Sequence, residues 1–125
     1  MFMGEFRHNI DAKGRLIIPS KLREQCGESV VITRGFDGCL ALYTQEGWND
    51  YYQKLQTLPK TKREARNFVR IITSRASECE FDKLGRVNIP NVLRIEGKLE
   101  KECIIVGVGC LLYTSPSPRD GATSR

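Results

Sequence analysis

Two arginines, each four residues after an aspartate, are the side chains in this sequence whose type and spacing could do chemistry. Asp11 and Arg15 belong to a thirteen-residue stretch that recurs seventy-one residues later, with seven identical positions, around Asp82 and Arg86. An aspartate can bond the backbone two residues on, and glycine accepts a positive φ, so each Asp-x-x-Gly-Arg predicts a tight turn. The planar fork of an arginine on such a turn could bond guanine O6 and N7, or clasp a phosphate.

The predicted nucleic-acid contacts are the arginine of each turn and a neighbouring lysine, which adds attraction that is independent of base sequence. The candidates are Lys13, Arg15, Lys83 and Arg86, supported by the turn-forming residues Asp11, Gly14, Asp82 and Gly85. The alternative is that each Asp–Arg pair is a local ion pair that braces its turn, with Arg23 and Arg94 simply solvated. Both interpretations can hold together if the aspartate orients an arginine that touches DNA.

The elements that position these turns are predicted from local patterns. After each turn comes a short strand rich in β-branched residues, then a short helix that begins at a proline. The first of these helices is expected to span 20–27 and to end at a glycine. Further strands are predicted at 2–10, 29–34, 39–44, 76–81 and 102–107.

Two amphipathic helices are predicted between the copies, one at 45–58 that Thr44 caps and one from about 62 to 73 that Thr61 opens. A basic face follows the second helix and is either solvated or a contact with DNA or a subunit; its residues are Lys60, Lys62, Arg63, Arg66 and Arg70. The aromatic residues of the two helices either pack on the strands or anchor a subunit interface; they are Trp48, Tyr51, Tyr52 and Phe68.

Length and charge bound the class of protein. The chain has 125 residues, 40% of them hydrophobic, and a net charge of +5. Each half alone would be marginally stable, so we expect interleaved halves, an oligomer, or both. The sequence contains neither an apolar run of about twenty residues nor the apolar segment of a secretory signal, and a cytoplasmic protein is therefore expected.

The cysteine and histidine pattern argues against metal binding and catalysis. The five cysteines form no C-x-x-C pair and His8 is the one histidine, so we expect no metal, no cofactor and no Ser-His or Cys-His pair. Free buried thiols are expected at Cys39, Cys79 and Cys103. The two repeated aspartates invite comparison with a protease carboxyl dyad, but an adjacent arginine would lower the pKa of an acid that needs a raised one. The chain is thus predicted not to be an enzyme and to have no small-molecule substrate.

Over residues 1–109 the sequence resembles the MraZ family, bacterial regulators of the division and cell-wall gene cluster. The resemblance rests on the paired Asp-x-x-x-Arg motifs in their Gly-Arg-x-x-Ile-Pro settings and on the segments 33–40, 65–70 and 105–109. It implies an α+β, mainly β fold in which two tandem AbrB-like swapped-hairpin repeats form a double-psi β-barrel-like core. It further implies a nucleoid-associated, ring-shaped homo-oligomer that binds promoter direct repeats. The alternative function is a ring-forming adaptor that does not bind DNA.

Four segments are predicted on this basis. A first repeat spans 1–44, a helical connection spans 45–73, and a second, truncated repeat spans 74–109. Residues 110–125 resemble a translated adapter used to build sequencing libraries, so we expect them not to be native protein. The start of this tail nevertheless mimics 39–44 of the first copy, and its composition allows it to pair as a strand.

Overall fold

The computed structural model describes residues 2–109 and 111–116, in which eight strands and four helices are formed. In chain order they are β1 (Phe2–Asn9), β2 (Arg15–Ile17), α1 (Ser20–Arg23), β3 (Ser29–Arg34), β4 (Leu40–Thr44), α2 (Gln45–Gln56), α3 (Arg63–Arg75), β5 (Ser77–Glu80), β6 (Arg86–Asn88), α4 (Asn91–Gly97), β7 (Glu102–Gly109) and β8 (Leu111–Pro116). Among the described residues, strand residues outnumber helical ones, at 38% against 32%, which confirms the α+β, mainly β class.

The strands form two antiparallel sheets. Six of them make one sheet in the order β1-β7-β8-β4-β3-β5, and β2 pairs with β6 in a two-stranded ribbon. This ribbon joins the two copies of the repeated stretch, because β2 comes from the first copy and β6 from the second. The same ribbon contacts β1 on one side and β5 on the other. The two halves of the chain are therefore interleaved, as their small size had suggested.

The repeated stretch supplies matching residues to one hydrophobic core. Equivalent positions of the two copies are at most 2% exposed, namely Leu16 and Val87, Ile18 and Ile89, and Leu22 and Leu93. Each copy alone would leave these side chains without the facing half of their packing. The two copies therefore bury matching side chains in one shared core.

The segment 111–116 lies inside the sheet. It forms β8, which pairs with β7 on one edge and with β4 on the other. Leu112 and Thr114 are almost fully buried there. The non-native origin of 110–125 stays a prediction, and its remaining residues, 110 and 117–125, lie outside the part of the chain that the structure describes.

The connecting helices are attached to the sheet through specific contacts. The Thr44 hydroxyl accepts a hydrogen bond from the backbone N–H of Gly47 at 2.9 Å, so Thr44 caps α2 as expected. From α2, Trp48 and Tyr51 pack against Tyr43 of β4, with ring centroids 5.8 and 5.1 Å away. These contacts support the interpretation of the two aromatics as helix packing.

The second connecting helix is anchored through a buried hydroxyl. The Thr33 hydroxyl in β3 donates a 2.7 Å hydrogen bond to the carbonyl of Ile72 in α3. The expectation that Thr61 opens this helix is wrong. The N-cap residue is Lys62, which makes no side-chain capping bond.

Two local expectations also fail. The first short helix ends at Arg23 rather than Gly27, because Gln25 and Cys26 bond carbonyls three residues back and tighten the chain into turns. Cys39 precedes β4 and is only partly buried, whereas Cys26, Cys79 and Cys103 are buried. Burial raises the pKa of the Cys26 thiol to about 11, which disfavours its reactive thiolate at neutral pH.

Truncating Leu93 to alanine should destabilise the chain by about 2–5 kcal/mol, because this 1%-exposed side chain fills the core shared by both copies. The free energy of unfolding would be measured by urea denaturation. The matched control is Val92→Ala, the substitution at the preceding position. Because the side chain of Val92 is 53% exposed, this change should lower the free energy of unfolding far less. Equal costs at the two positions would contradict the shared core.

Candidate nucleic-acid interface

The first turn is built around the carboxylate of Asp11. One oxygen accepts hydrogen bonds from the backbone N–H groups of Lys13 and Arg15, both at 2.9 Å. The other accepts from Nε of Arg15 at 2.7 Å. Gly14 has a φ of +87°, in the left-handed region that glycine adopts readily. A single carboxylate thus shapes the backbone and holds the arginine side chain.

The second turn repeats this geometry. The carboxylate of Asp82 accepts from the backbone N–H groups of Leu84 and Arg86 at 2.9 Å and from Nε of Arg86 at 2.7 Å. The backbone N–H of the arginine, followed by its side chain, holds the pKa of each aspartate below the ordinary value of 3.8. Both carboxylates are therefore charged at neutral pH, so the local ion pairs considered from the sequence are present.

The ribbon of β2 and β6 carries both arginines on one face. Residues opposite each other in the ladder are Arg15 with Asn88, Leu16 with Val87, and Ile17 with Arg86. Opposite residues point to the same side of a sheet and neighbours along a strand alternate. Since Leu16 and Val87 face the core, the outer face of the ribbon consists of Arg15, Ile17, Arg86 and Asn88.

Each turn is also braced by the opposite copy. The backbone N–H of Ile18 donates to the carbonyl of Gly85 at 3.1 Å, and that of Ile89 donates to the carbonyl of Gly14 at 2.8 Å. The ion pairing crosses between the turns as well, since Nη1 of Arg86 lies 3.9 Å from the carboxylate of Asp11. The two turns therefore form one unit.

The remaining repeated arginines pack over these glycines. Arg23 donates from Nη1 to the carbonyl of Ile18 at 2.7 Å and lies directly against Gly85. Arg94 lies against Gly14, where a Cβ atom would meet its Nε at 2.7 Å. The expectation that Arg23 and Arg94 are simply solvated is wrong. Each braces the turn of the other copy, a contact that no local pattern encodes.

The predicted DNA-contacting residues differ in accessibility. Lys13 and Lys83 are exposed on the turns. The side chain of Arg15 is 34% exposed and that of Arg86 is 23% exposed. Within the described residues, the terminal nitrogens of Arg15 make no hydrogen bond or ion pair, which leaves them available as donors.

Two residues of the outer face were missed from the sequence. Ile17 and Asn88 occupy equivalent positions of the two copies, and each lies opposite an arginine in the ladder. Strand alternation, which puts every second residue on one face, could have identified them.

The basic face of α3 lies elsewhere on the molecule. Three of its cations, Lys60, Arg66 and Arg70, border an apolar groove of about 270 Å³ between α2 and α3. The apolar residues that line this groove are Leu55, Leu58, Pro59, Ala65 and Val69. This groove has no counterpart of the Asp–Arg arrangement.

Other kinds of site find little support in the described residues. Nowhere in 2–109 and 111–116 do three or more histidine, cysteine or acidic side chains come together as metal ligands would. No helix in those ranges has the length and apolarity needed to cross a bilayer.

Comparison with known proteins assigns the family. The model of a family described as "MraZ protein, putative antitoxin-like" matches residues 1–71 and again 72–114. The chain belongs to the MraZ family. A protein of Ligilactobacillus salivarius (strain UCC118) named "Transcriptional regulator MraZ" is 63% identical over 108 residues, which are 86% of this chain and 76% of that protein. A protein of the same name from Limosilactobacillus reuteri (strain DSM 20016) is 58% identical over the same shares.

Membership of the MraZ family has two consequences. The family model matches the chain in two parts, which confirms the repeat. The names of the relatives support the role of a transcription regulator. The expectation that the chain is not an enzyme is confirmed on the same ground.

A left-handed backbone conformation costs an L-residue about 1–2 kcal/mol. Replacing Gly85 with alanine should lower the free energy of unfolding by more than this amount. The added Cβ would also displace Arg23. Gly27→Ala is the matched control, because Gly27 has a similar φ of +74° and nothing within 4 Å of the new atom. Urea denaturation measures both, and equal losses would show that Arg23 does not brace the turn.

Replacing Asp82 with asparagine should lower stability at neutral pH. Because the pKa of Asp82 is lowered in the folded chain, its stabilising effect is full above about pH 4 and is lost as the pH falls through the lowered value. The difference in unfolding free energy between wild type and Asp82→Asn should therefore shrink below pH 4. Urea denaturation at pH 7 and from pH 4 to pH 2 tests this; a difference that is independent of pH would contradict it.

Proposed function

We propose that the chain is a sequence-specific DNA-binding transcriptional regulator that binds promoter direct repeats of the division and cell-wall gene cluster. It acts as a homo-oligomeric ring in the cytoplasm, associated with the nucleoid. The observation that carries the proposal is that both Asp-held arginines lie on the outer face of one two-stranded ribbon. The names of the relatives support the regulatory part of the proposal.

The geometry of the ribbon suits the major groove. That groove admits a two-stranded ribbon and exposes guanine O6 and N7 to a bidentate donor. In each turn the aspartate holds Nε of the arginine, and within the described residues the terminal nitrogens of Arg15 make no hydrogen bond or ion pair, so they can act as donors. An arginine already held in one orientation loses less conformational freedom on binding.

The charge of the two turns favours a polyanion. Lys13, Arg15, Lys83 and Arg86 contribute four positive charges, against two negative charges from the aspartates, which leaves +2 for the interface of each chain. This charge is too small for tight binding by one chain at physiological salt. A homo-oligomer would present several ribbons to successive repeats, so that weak contacts combine through effective concentration.

One observation favours the alternative of a ring-forming adaptor. Met3 and Val108 are cross-strand partners in the β1–β7 pair, and both are exposed. Exposed apolar pairs of this kind suit contact with another protein surface. Such a contact would be compatible with DNA binding or could replace it.

DNA binding should depend on the two arginines and on salt. We expect Arg15→Ala to weaken binding of a labelled duplex by about 1–3 kcal/mol, because a bidentate contact to guanine is lost, and Arg15→Ala with Arg86→Ala to weaken it further. The duplex would contain tandem repeats from the promoter of the cluster. Fluorescence anisotropy at two salt concentrations measures the dissociation constant and its salt dependence.

The matched control removes two cations from α3, as Arg66→Ala with Arg70→Ala. This variant should bind the duplex as wild type does, while circular dichroism confirms that every variant is folded. Loss of binding in the α3 variant alone would move the interface to that helix. Absence of binding by a folded, oligomeric wild type would favour the adaptor.

A further inference from the structure

The outer face of the ribbon differs chemically between its two strands. The two copies place different residues at the equivalent position, Ile17 in β2 and Asn88 in β6. Arg15 and Arg86 flank this position with the same aspartate-held geometry. The difference between the copies is therefore confined to side chains on an otherwise repeated framework.

The carboxamide of Asn88 serves no visible structural purpose. Asn88 is exposed, and its side chain makes no hydrogen bond within 2–109 and 111–116. Asparagine is also among the residues depleted in strands, whereas isoleucine, its counterpart in the first copy, is enriched there. A residue that goes against its local preference without a compensating contact often belongs to a functional surface.

The position of Asn88 places its amide beside a predicted base contact. It lies directly opposite Arg15 in the antiparallel ladder, and such partners have Cβ atoms about 4.5–5.5 Å apart. Both side chains point away from the buried Leu16 and Val87. Asn88 and Arg15 can therefore face neighbouring bases at the same time.

We propose that Asn88 is a specificity-determining residue that recognises adenine in the major groove. This inference rests on the proposed function. The carboxamide oxygen accepts a hydrogen bond from adenine N6–H and its NH₂ group donates to N7. Ile17 can do neither, so the two halves of the ribbon read different bases, and each chain has a defined orientation on its repeat.

The test uses adenine analogues in a duplex that wild type selects from a random pool. Each adenine is replaced in turn by 7-deazaadenine, which lacks the N7 acceptor but keeps Watson–Crick pairing. One replacement should weaken binding by wild type about 5- to 100-fold, the range expected when a bidentate pair to a base is broken. In Asn88→Ile the affinities for the two duplexes should be equal. This variant should fold, because isoleucine already occupies the equivalent position in β2.

Asn88→Asp provides a second variant whose side chain has nearly the same shape. A carboxylate can only accept hydrogen bonds, so the preference at the sensitive position should change from adenine to cytosine, whose N4 group donates. Asn49→Asp in α2 is the matched control, because it adds the same negative charge on an exposed residue away from the ribbon. It should keep the preference of wild type.

The outcomes separate the two proposals. If Asn88→Ile and Asn88→Asp retain the sensitivity of wild type to 7-deazaadenine, Asn88 does not read adenine, and the DNA-binding function stands. Wild-type binding that is insensitive at every adenine also overturns the inference alone. Failure of folded wild type to select any duplex overturns the proposed function and this inference with it.

Discussion

The structure depends on mutual bracing between two turns from distant parts of the chain. Each turn needs a glycine for its positive φ and for the close approach of an arginine from the other copy. Backbone bonds from Ile18 and Ile89 then tie each copy to the opposite turn. Because these contacts are reciprocal, neither copy can have this geometry alone, and the ribbon and the core beneath it form together.

The same arrangement preorganises the polar side chains. One carboxylate in each turn accepts hydrogen bonds from two backbone N–H groups and from an arginine, so the side chain of this partly exposed cation has a defined direction. Side chains such as arginine lose up to about 2 kcal/mol of rotamer entropy when they are ordered. Here much of that loss accompanies folding, before any ligand is met. The two aspartates thus act through the hydrogen bonds that their carboxylates accept more than through ion-pair strength.

The local part of the fold could be predicted from the sequence, because its signals are local. Asp11, Gly14 and Pro19 specify a turn, a strand and a helix start within a few residues, and their repetition predicted the second turn. Thr61 shows the limit of such signals: threonine is a favourable N-cap residue, but the N-cap of α3 is Lys62. The packing of Arg23 and Arg94 on the opposite turns could not be predicted, because it depends on strand pairing across the chain. DNA contact and ring assembly remain predictions.

The pairing of the first strand with the penultimate one has a consequence for synthesis on the ribosome. Phe2 lies opposite Gly109, so β1 has no ladder partner until β7 has been translated. Contacts between residues so far apart in sequence make folding slow, because a large loop must close before they stabilise anything. Until then the backbone edge of β1 has no partner strand and is open to other nascent chains. The nascent chain therefore acquires this pairing only after β7 has left the ribosome.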